Sequence, residues 1–212
     1  MQITDVFAVP GKGLASLWFA GDYKNAESGH AWGTLTSADN GRTWKQRTVE
    51  GDLPKAEWPT EISAVYLGGG RILAIARAER GAGCQFQLTS TDGGETWRRT
   101  KTNITDVRES TPSLIFDQKT GLVSNYYYQR GARKLKRRVA EAKTIFDSPM
   151  EWPEPEMLAE GGERRSHDAG NVNATVCGEN HLLVLYSGTD RDCAVFAVSV
   201  PAPARESRGK QR

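Results

Sequence analysis

Ser37-Ala38-Asp39-Asn40-Gly41-Arg42-Thr43-Trp44 and Ser90-Thr91-Asp92-Gly93-Gly94-Glu95-Thr96-Trp97 are two copies of one pattern, S-x-D-x-G-x-T-W, and their tryptophans stand 53 residues apart. Each position has a physical task. An Asp at the head of a turn accepts hydrogen bonds from backbone N–H groups a few residues on. The Gly supplies the left-handed backbone of a tight hairpin. The Thr hydroxyl bonds locally, and the Trp carries a large apolar ring into the next strand. One copy is a turn. Two copies at a fixed separation, each between strand-like runs, imply a repeated β unit.

Around the first copy, Gly13–Gly21 and His30–Ser37 read as strands and Lys45–Val49 leaves the turn; Gly51–Pro59, with Pro54 and Pro59, reads as a loop. The second unit repeats this plan. Ile62–Leu67 and Arg71–Arg77 flank the turn Gly68-Gly69-Gly70, and Cys84–Ser90 alternates apolar and polar residues, the period of a half-buried strand. In a third unit, Ser113–Phe116, Leu122–Tyr128 and Leu135–Ala142 are the strands, and Asp147–Trp152 stands where a copy of the pattern belongs. Its Trp152 follows Trp97 by 55 residues, so the spacing outlives the motif. Val172–Val176, His181–Tyr186 and Ala194–Val200 form a fourth unit. Four strands around a hairpin make one propeller blade, so the chain reads as all-β with about four blades over residues 1–200, followed by a disordered polar tail, 201–212.

The bulk numbers exclude several classes. Twenty-eight Lys and Arg against 26 Asp and Glu leave a formal charge of +2, which implies no nucleic-acid partner. Cys84, Cys177 and Cys193 are widely spaced, with no C-x-x-C pair, so neither a disulfide framework nor a zinc site is expected. His30 and His181 lie in strand-like segments without ligand-spaced partners, and no metal role is assigned. No stretch resembles a signal peptide and no apolar run spans a bilayer; the chain reads as soluble, with its compartment undetermined.

The octapeptide resembles the Asp-box, or BNR repeat, of the sialidase (neuraminidase) superfamily. The likeness covers the chain from about residue 13 to 200 on repeat spacing. It implies a sialidase-like β-propeller with about four blades of a six-bladed ring. The boxes (Ser37, Asp39, Gly41, Thr43, Trp44; Ser90, Asp92, Gly94, Thr96, Trp97) then staple hairpins away from the active-site end. A four-blade arc has open edges, so the remaining blades come from a longer chain of which this is a part, or from a second copy.

The resemblance also implies chemistry. The superfamily cleaves a glycosidic bond beside a carboxylated sugar. Three arginines grip the carboxylate, a Tyr activated by a Glu attacks the anomeric carbon, and an Asp serves as acid or base. Glu61, at the head of a strand 16 residues before Arg77, matches the family's base Glu and a clamping Arg. Arg130 lies 53 residues after Arg77 and is the third arginine by repeat position, with Arg133 and Arg137 as alternatives. These three belong to a run that also holds Lys134, Lys136 and Arg138, read mainly as a solvated strand face and alternatively as a polyanion patch. The family's D-x-G-Y appears as Asp168-Ala169-Gly170-Asn171, so Asn171 stands where the nucleophile belongs. Asn cannot replace a phenolate, but it can bond sugar hydroxyls. His167 is a loop neighbour, Tyr126, Tyr127 and Tyr128 read as packing residues, and Trp18 as core. Trp58, in the loop before Glu61, is the expected sugar-stacking ring. No cofactor is implied. The expected ligand is a glycan or a small carboxylated sugar, met by a retaining exo-glycosidase segment or by a non-catalytic glycan-binding or structural propeller of a surface or phage-adhesion protein.

Overall fold

The computed structural model describes residues 1–107, 110–160, 170–188 and 193–205. They form four antiparallel sheets in chain order. Blade 1 holds β1 (Gln2–Ile3), β2 (Phe7–Val9), β3 (Gly13–Ala20), β4 (His30–Ser37) and β5 (Lys45–Leu53). Blade 2 is β6 (Pro59–Gly68), β7 (Arg71–Ala78), β8 (Phe86–Ser90) and β9 (Arg98–Lys101). Blade 3 is β10 (Ser113–Asp117), β11 (Leu122–Gln129), β12 (Lys134–Glu141) and β13 (Glu156–Glu160), with a short helix α1 (Ala142–Asp147) after β12. Blade 4 is β14 (Gly170–Cys177), β15 (Asn180–Gly188) and β16 (Cys193–Pro201). The expected all-β arc of four propeller blades is therefore what the chain forms.

Each sheet is apolar on both faces, so the core lies between blades. Leu17, Phe19 and Trp32 of blade 1 meet Ile62, Ile72 and Leu88 of blade 2. Leu73 and Ile75, which alternate with Ile72 on β7, point the other way and meet Leu114, Val123 and Tyr127. Tyr126, Tyr128 and Leu135 of blade 3 then meet Val172, Leu183 and Leu185. The period of two along each strand turns one sequence into two covered faces. Trp152, in the decayed motif, keeps its place in the core between blades 2 and 3, and its Nε1 donates to Gln87 Oε1 at 3.1 Å.

Both Asp-boxes form the hydrogen bonds their composition dictates. In the first, Asp39 Oδ1 accepts from Ser37 Oγ (2.8 Å) and Thr43 N (2.8 Å), and Oδ2 accepts from Thr43 Oγ1 (2.6 Å). Trp44 Nε1 closes the turn on Gly41 O at 3.0 Å. In the second, Asp92 accepts the equivalent bonds at 2.8, 2.9 and 2.6 Å, and Trp97 Nε1 donates to Gly94 O at 2.9 Å. The bonds from Thr43 and Ser37 hold the Asp39 carboxyl down at about 2. Burial pulls Asp92 upward, but bonds from Thr96 and Ser90 outweigh it and hold the group at about 2.

Three expectations are corrected. Gly51–Pro59 is not one loop: β5 continues to Leu53, a 3₁₀ turn covers Lys55–Glu57, and Pro59 opens β6. Asp52 takes left-handed backbone (φ 55°) where β5 bulges against β4, between Glu50 opposite Trp32 and Leu53 opposite His30. Trp58 is not a groove residue. It is 0 % exposed, stacks on His30 at 4.2 Å, and donates from Nε1 to Ala31 O at 3.2 Å. The cation run is neither a solvated face nor a free patch over its second half. Asp106, 30 and 32 residues away, pairs with Lys136 (2.7 Å) and Arg138 (2.8 Å), while Arg137 pairs with Glu156 (2.6 Å). Trp18 is buried as expected, bonding Thr34 O at 3.2 Å. At the tail, β16 runs through Pro201 and Ala202 N bonds Glu179 O at 3.0 Å; residues 206–212 lie outside those described.

Candidate functional site

The boxes stand at one end of the blades. Gly93 N donates to Gly70 O (2.7 Å), at the turn between β6 and β7. Glu61 and Arg77 lie at the other end of that hairpin, where Thr60 pairs with Arg77. β6 bulges between Thr60 and Ser63, and Glu61 sits in the bulge with φ 44°. A non-glycine residue in left-handed backbone costs free energy, and bulges re-aim side chains. Here the bulge delivers Glu61 Oε1 to within 2.7 Å of Arg77 Nη1.

The same device recurs in blade 4. β14 bulges between Gly170 and Asn173, and Asn171 has φ 53°. Counting from the register residues Ser63, Ser113 and Asn173, the residue two earlier is Glu61, Thr111 and Asn171 in turn. These three equivalents meet. Thr111 Oγ1 contacts Glu61 Oε2 and lies 2.8 Å from Asn171 Oδ1. Arg130 Nη2 donates to Asn171 Oδ1 at 3.4 Å, and Asn171 Nδ2 lies 3.4 Å from Tyr186 Oη. Glu61, Arg77, Arg130 and Asn171, four of the sequence-predicted residues, are thus gathered at one end of the arc. Trp58 is behind them in the core, and Asp168 and His167 lie outside the described residues.

Arg77 is held on three sides. Its Nε lies 3.1 Å from Glu79 Oε1, and its guanidinium carbon sits 5.9 Å from the centre of the Tyr23 ring. Thr60 Oγ1 orients Glu79 with a 2.7 Å bond. Burial works against the charge on Arg77, but the carboxylates of Glu61 and Glu79 prevail and hold its pKa above the ordinary value. Burial, then the charges of Glu61 and Glu79, push the Tyr23 phenol well up. Tyr23 Oη is buried with no hydrogen-bond partner among the described residues. It is a neutral wall of the site and unsuited to act as a phenolate.

The geometry separates the candidate third arginines. Arg137 is committed to Glu156 and to Pro201 O (2.7 Å). Arg133 lies in the β11–β12 turn, where its charge acts on Tyr128. Arg130 is the candidate that reaches Asn171, with its Nη2 3.4 Å from Oδ1. Register adds a finding the 53-residue spacing hid. Arg77 stands two residues after Ile75, the partner of Ser63, and the residue two after Tyr126, the partner of Ser113, is Tyr128. Arg130 therefore reaches the site from a turn two residues beyond Arg77's equivalent. The sequence reading missed Thr111, Tyr186, Tyr23 and Glu79; only the repeat register would have found the first two.

No curated protein sequence matches this chain. Among solved structures, a protein of unknown function from Dyadobacter fermentans superposes with a TM-score of 0.69 at 20% identity, covering 92% of this chain and 51% of that one. An α-L-arabinofuranosidase from Podospora anserina, solved with cellotriose, gives 0.62 at 10% identity, covering 94% and 64%. A sialidase from Trypanosoma rangeli, solved with sialic acid, gives 0.57 at 12% identity, covering 88% and 29%. This chain spans about half of the Dyadobacter protein and less than a third of that sialidase. At such identities the likeness is one of fold. The BNR repeat-like domain matches residues 16–164, most of the chain, and with both boxes, blades 2 and 3 and most of blade 1 inside that match the chain belongs to the BNR repeat-like domain family.

Proposed function

We propose that this chain is the part of a sialidase-like glycoside hydrolase that receives a terminal carboxylated sugar of the sialic-acid type. The observation that carries the reading is the convergence of Glu61, Arg77, Arg130 and Asn171 through Thr111. Two guanidinium groups from neighbouring blades suit a planar carboxylate. Glu61, carried by a strained bulge and touching both Arg77 and Thr111, takes the role of the base. Asn171 contributes an amide for sugar hydroxyls. Tyr186 Oη, 3.4 Å from the Asn171 amide, supplies the phenol that position 171 lacks.

A second reading follows from Asn171 itself. An amide in place of the nucleophile favours a propeller that binds a glycan without cleaving it.

Hydrolysis of a chromogenic sialoside, measured beside binding of free sialic acid, separates the two. Turnover is expected to fall at least about 100-fold in Glu61→Gln and in Tyr186→Phe, the order of loss seen when a catalytic proton-transfer group or nucleophile is removed. Binding without any turnover in the unaltered chain selects the second reading. Neither turnover nor binding abolishes both. No helix is long and apolar enough to cross a membrane, among the described residues.

A further inference from the structure

The innermost strands carry a repeating polar couple that runs from one blade to the next. Ser63 Oγ accepts from Leu114 N (3.0 Å), and Ser113 Oγ accepts from Ala174 N (2.9 Å). One step earlier, Asp5 Oδ2 lies 3.5 Å from Ala64 N. So each blade presents a two-residue unit: a side-chain acceptor facing the next blade, then an apolar residue whose N–H and side chain face the preceding one. The units are Asp5-Val6, Ser63-Ala64, Ser113-Leu114 and Asn173-Ala174. All four acceptors line one cavity of about 100 Å³. The couple satisfies backbone donors that the end of a sheet otherwise leaves bare.

Two halves of the series are left over, and they are complementary. Asn173 is the acceptor of blade 4, and among the described residues its amide reaches only Asn171 O, at 3.5 Å. Behind it lies the outward face of blade 4. Leu182 and Val184 occupy the positions of Leu73 and Ile75, which are 0 % exposed under blade 3, yet they remain partly open. Val195, across from Tyr186 on that face, is 71% exposed. At the other end, Val6 is the apolar member of the first unit. Its equivalents Ala64 and Leu114 are 6% and 7% exposed, whereas Val6 is 47% exposed. Its N–H leans on its neighbour Asp5, whose carboxyl burial pushes up.

We propose that blade 4 of one copy docks on blade 1 of a second copy, head to tail. Asn173 Oδ1 takes the N–H of the other copy's Val6, and that valine side chain enters the face formed by Leu182, Val184 and Val195. The contact repeats what the chain already makes three times within itself, which is the argument for this occupant: both mating halves are present in one sequence. A head-to-tail contact is heterologous, so it closes into a ring or grows according to its rotation.

The experiment is the solution mass of the unaltered chain by light scattering over a dilution series. The mass is expected to rise with concentration from 23.3 kDa to twice that value or a higher multiple. Val6→Asp and Val195→Asp are each expected to abolish the rise. Mixed together, the two variants are expected to recover a species of two copies, because one retains a good tail and the other a good head. Asn173→Ala is expected to weaken association about tenfold, the loss of one hydrogen bond. Circular dichroism and thermal melting establish that each variant is folded. A chain that stays at one copy throughout overturns the proposal. So does an oligomer that both Asp variants leave intact, or a mixture that fails to associate, which marks a symmetric contact instead.

Discussion

The two ends of the blades are built on opposite principles. At the box end, the side-chain bonds of the Asp, Thr and Trp close within eight consecutive residues, Ser37–Trp44 or Ser90–Trp97. At the site end, the bonds join residues 16, 41, 50 and 60 apart in sequence. The boxes use glycine or asparagine, which tolerate left-handed backbone best: Gly41 at φ 85°, Gly94 at φ 93°, and Asn40 at φ 57° where the second box has Gly93 at φ 73°. The site places Glu61, a residue without that tolerance, in the conformation at φ 44°, beside Asn171 at φ 53°. One end relieves strain by its choice of residue. The other retains strain in order to aim a carboxylate and an amide. The boxes should therefore behave as stability elements and the site as a stability liability.

The largest effect should come from where a box meets its neighbour. Trp97 packs edge-on against Trp32 of blade 1 at 6.1 Å, and Arg47 of that blade donates to Gly94 O at 2.8 Å. Trp44 makes the same local bond but is 38% exposed. Trp97→Ala should cost about 2 kcal/mol, reduced from a full core truncation because the ring is only half buried. Trp44→Ala should cost less than about 1 kcal/mol on the same grounds. Thermal melting of both variants tests this. Equal losses would show that the octapeptide contributes through its own turn and not through the blade contact.

A smaller effect of opposite sign is expected at the site. Asn171→Gly removes the cost of a left-handed non-glycine residue and should stabilise the chain by about 1 kcal/mol. It also removes the group that meets Thr111 and Arg130, so any sugar binding should weaken. Chemical denaturation beside a binding titration reads both quantities. Loss of stability would mean that the side-chain bonds of Asn171 outweigh its backbone strain, and the contrast between the two ends would fail there.

The same contrast explains how much could be read in advance. The boxes, the four blades and the Glu61–Arg77 pairing were legible because each depends on local spacing or on the register of one hairpin. Thr111 was not, because a lone Thr before Pro112 carries no motif; it acquires meaning only as the equivalent of Glu61 one blade on. Trp58 was misread because flanking Pro54 and Pro59 argue for a loop, and nothing local reveals that His30 and Phe19 enclose the ring. The cation run was misread because Asp106, which takes two of its charges, lies in a connection between blades 2 and 3.

The smallest effect tests the box end by pH. Asp39 and Asp92 are both held down at about 2, below the ordinary carboxylate value of 3.8. A depressed folded-state pKa stabilises the fold above the unfolded value and loses that contribution as pH falls through the folded one. The loss should therefore fall between about pH 4 and pH 2. Asp5 runs the other way, since burial raises it and acid favours its folded, protonated form. The total acid curve mixes the two signs, and the boxes are isolated by difference. Asp39→Asn and Asp92→Asn should each flatten the decline between pH 4 and 2 relative to the unaltered chain, with Thr43 and Thr96 losing their charged acceptors. Both carboxylates are largely solvated, so the change should be small and should shrink in high salt. A decline of unchanged steepness in the double variant would move the acid-sensitive groups away from the boxes. Asp106, lowered by Lys136 and Arg138 against its own burial, would then be the group to alter next.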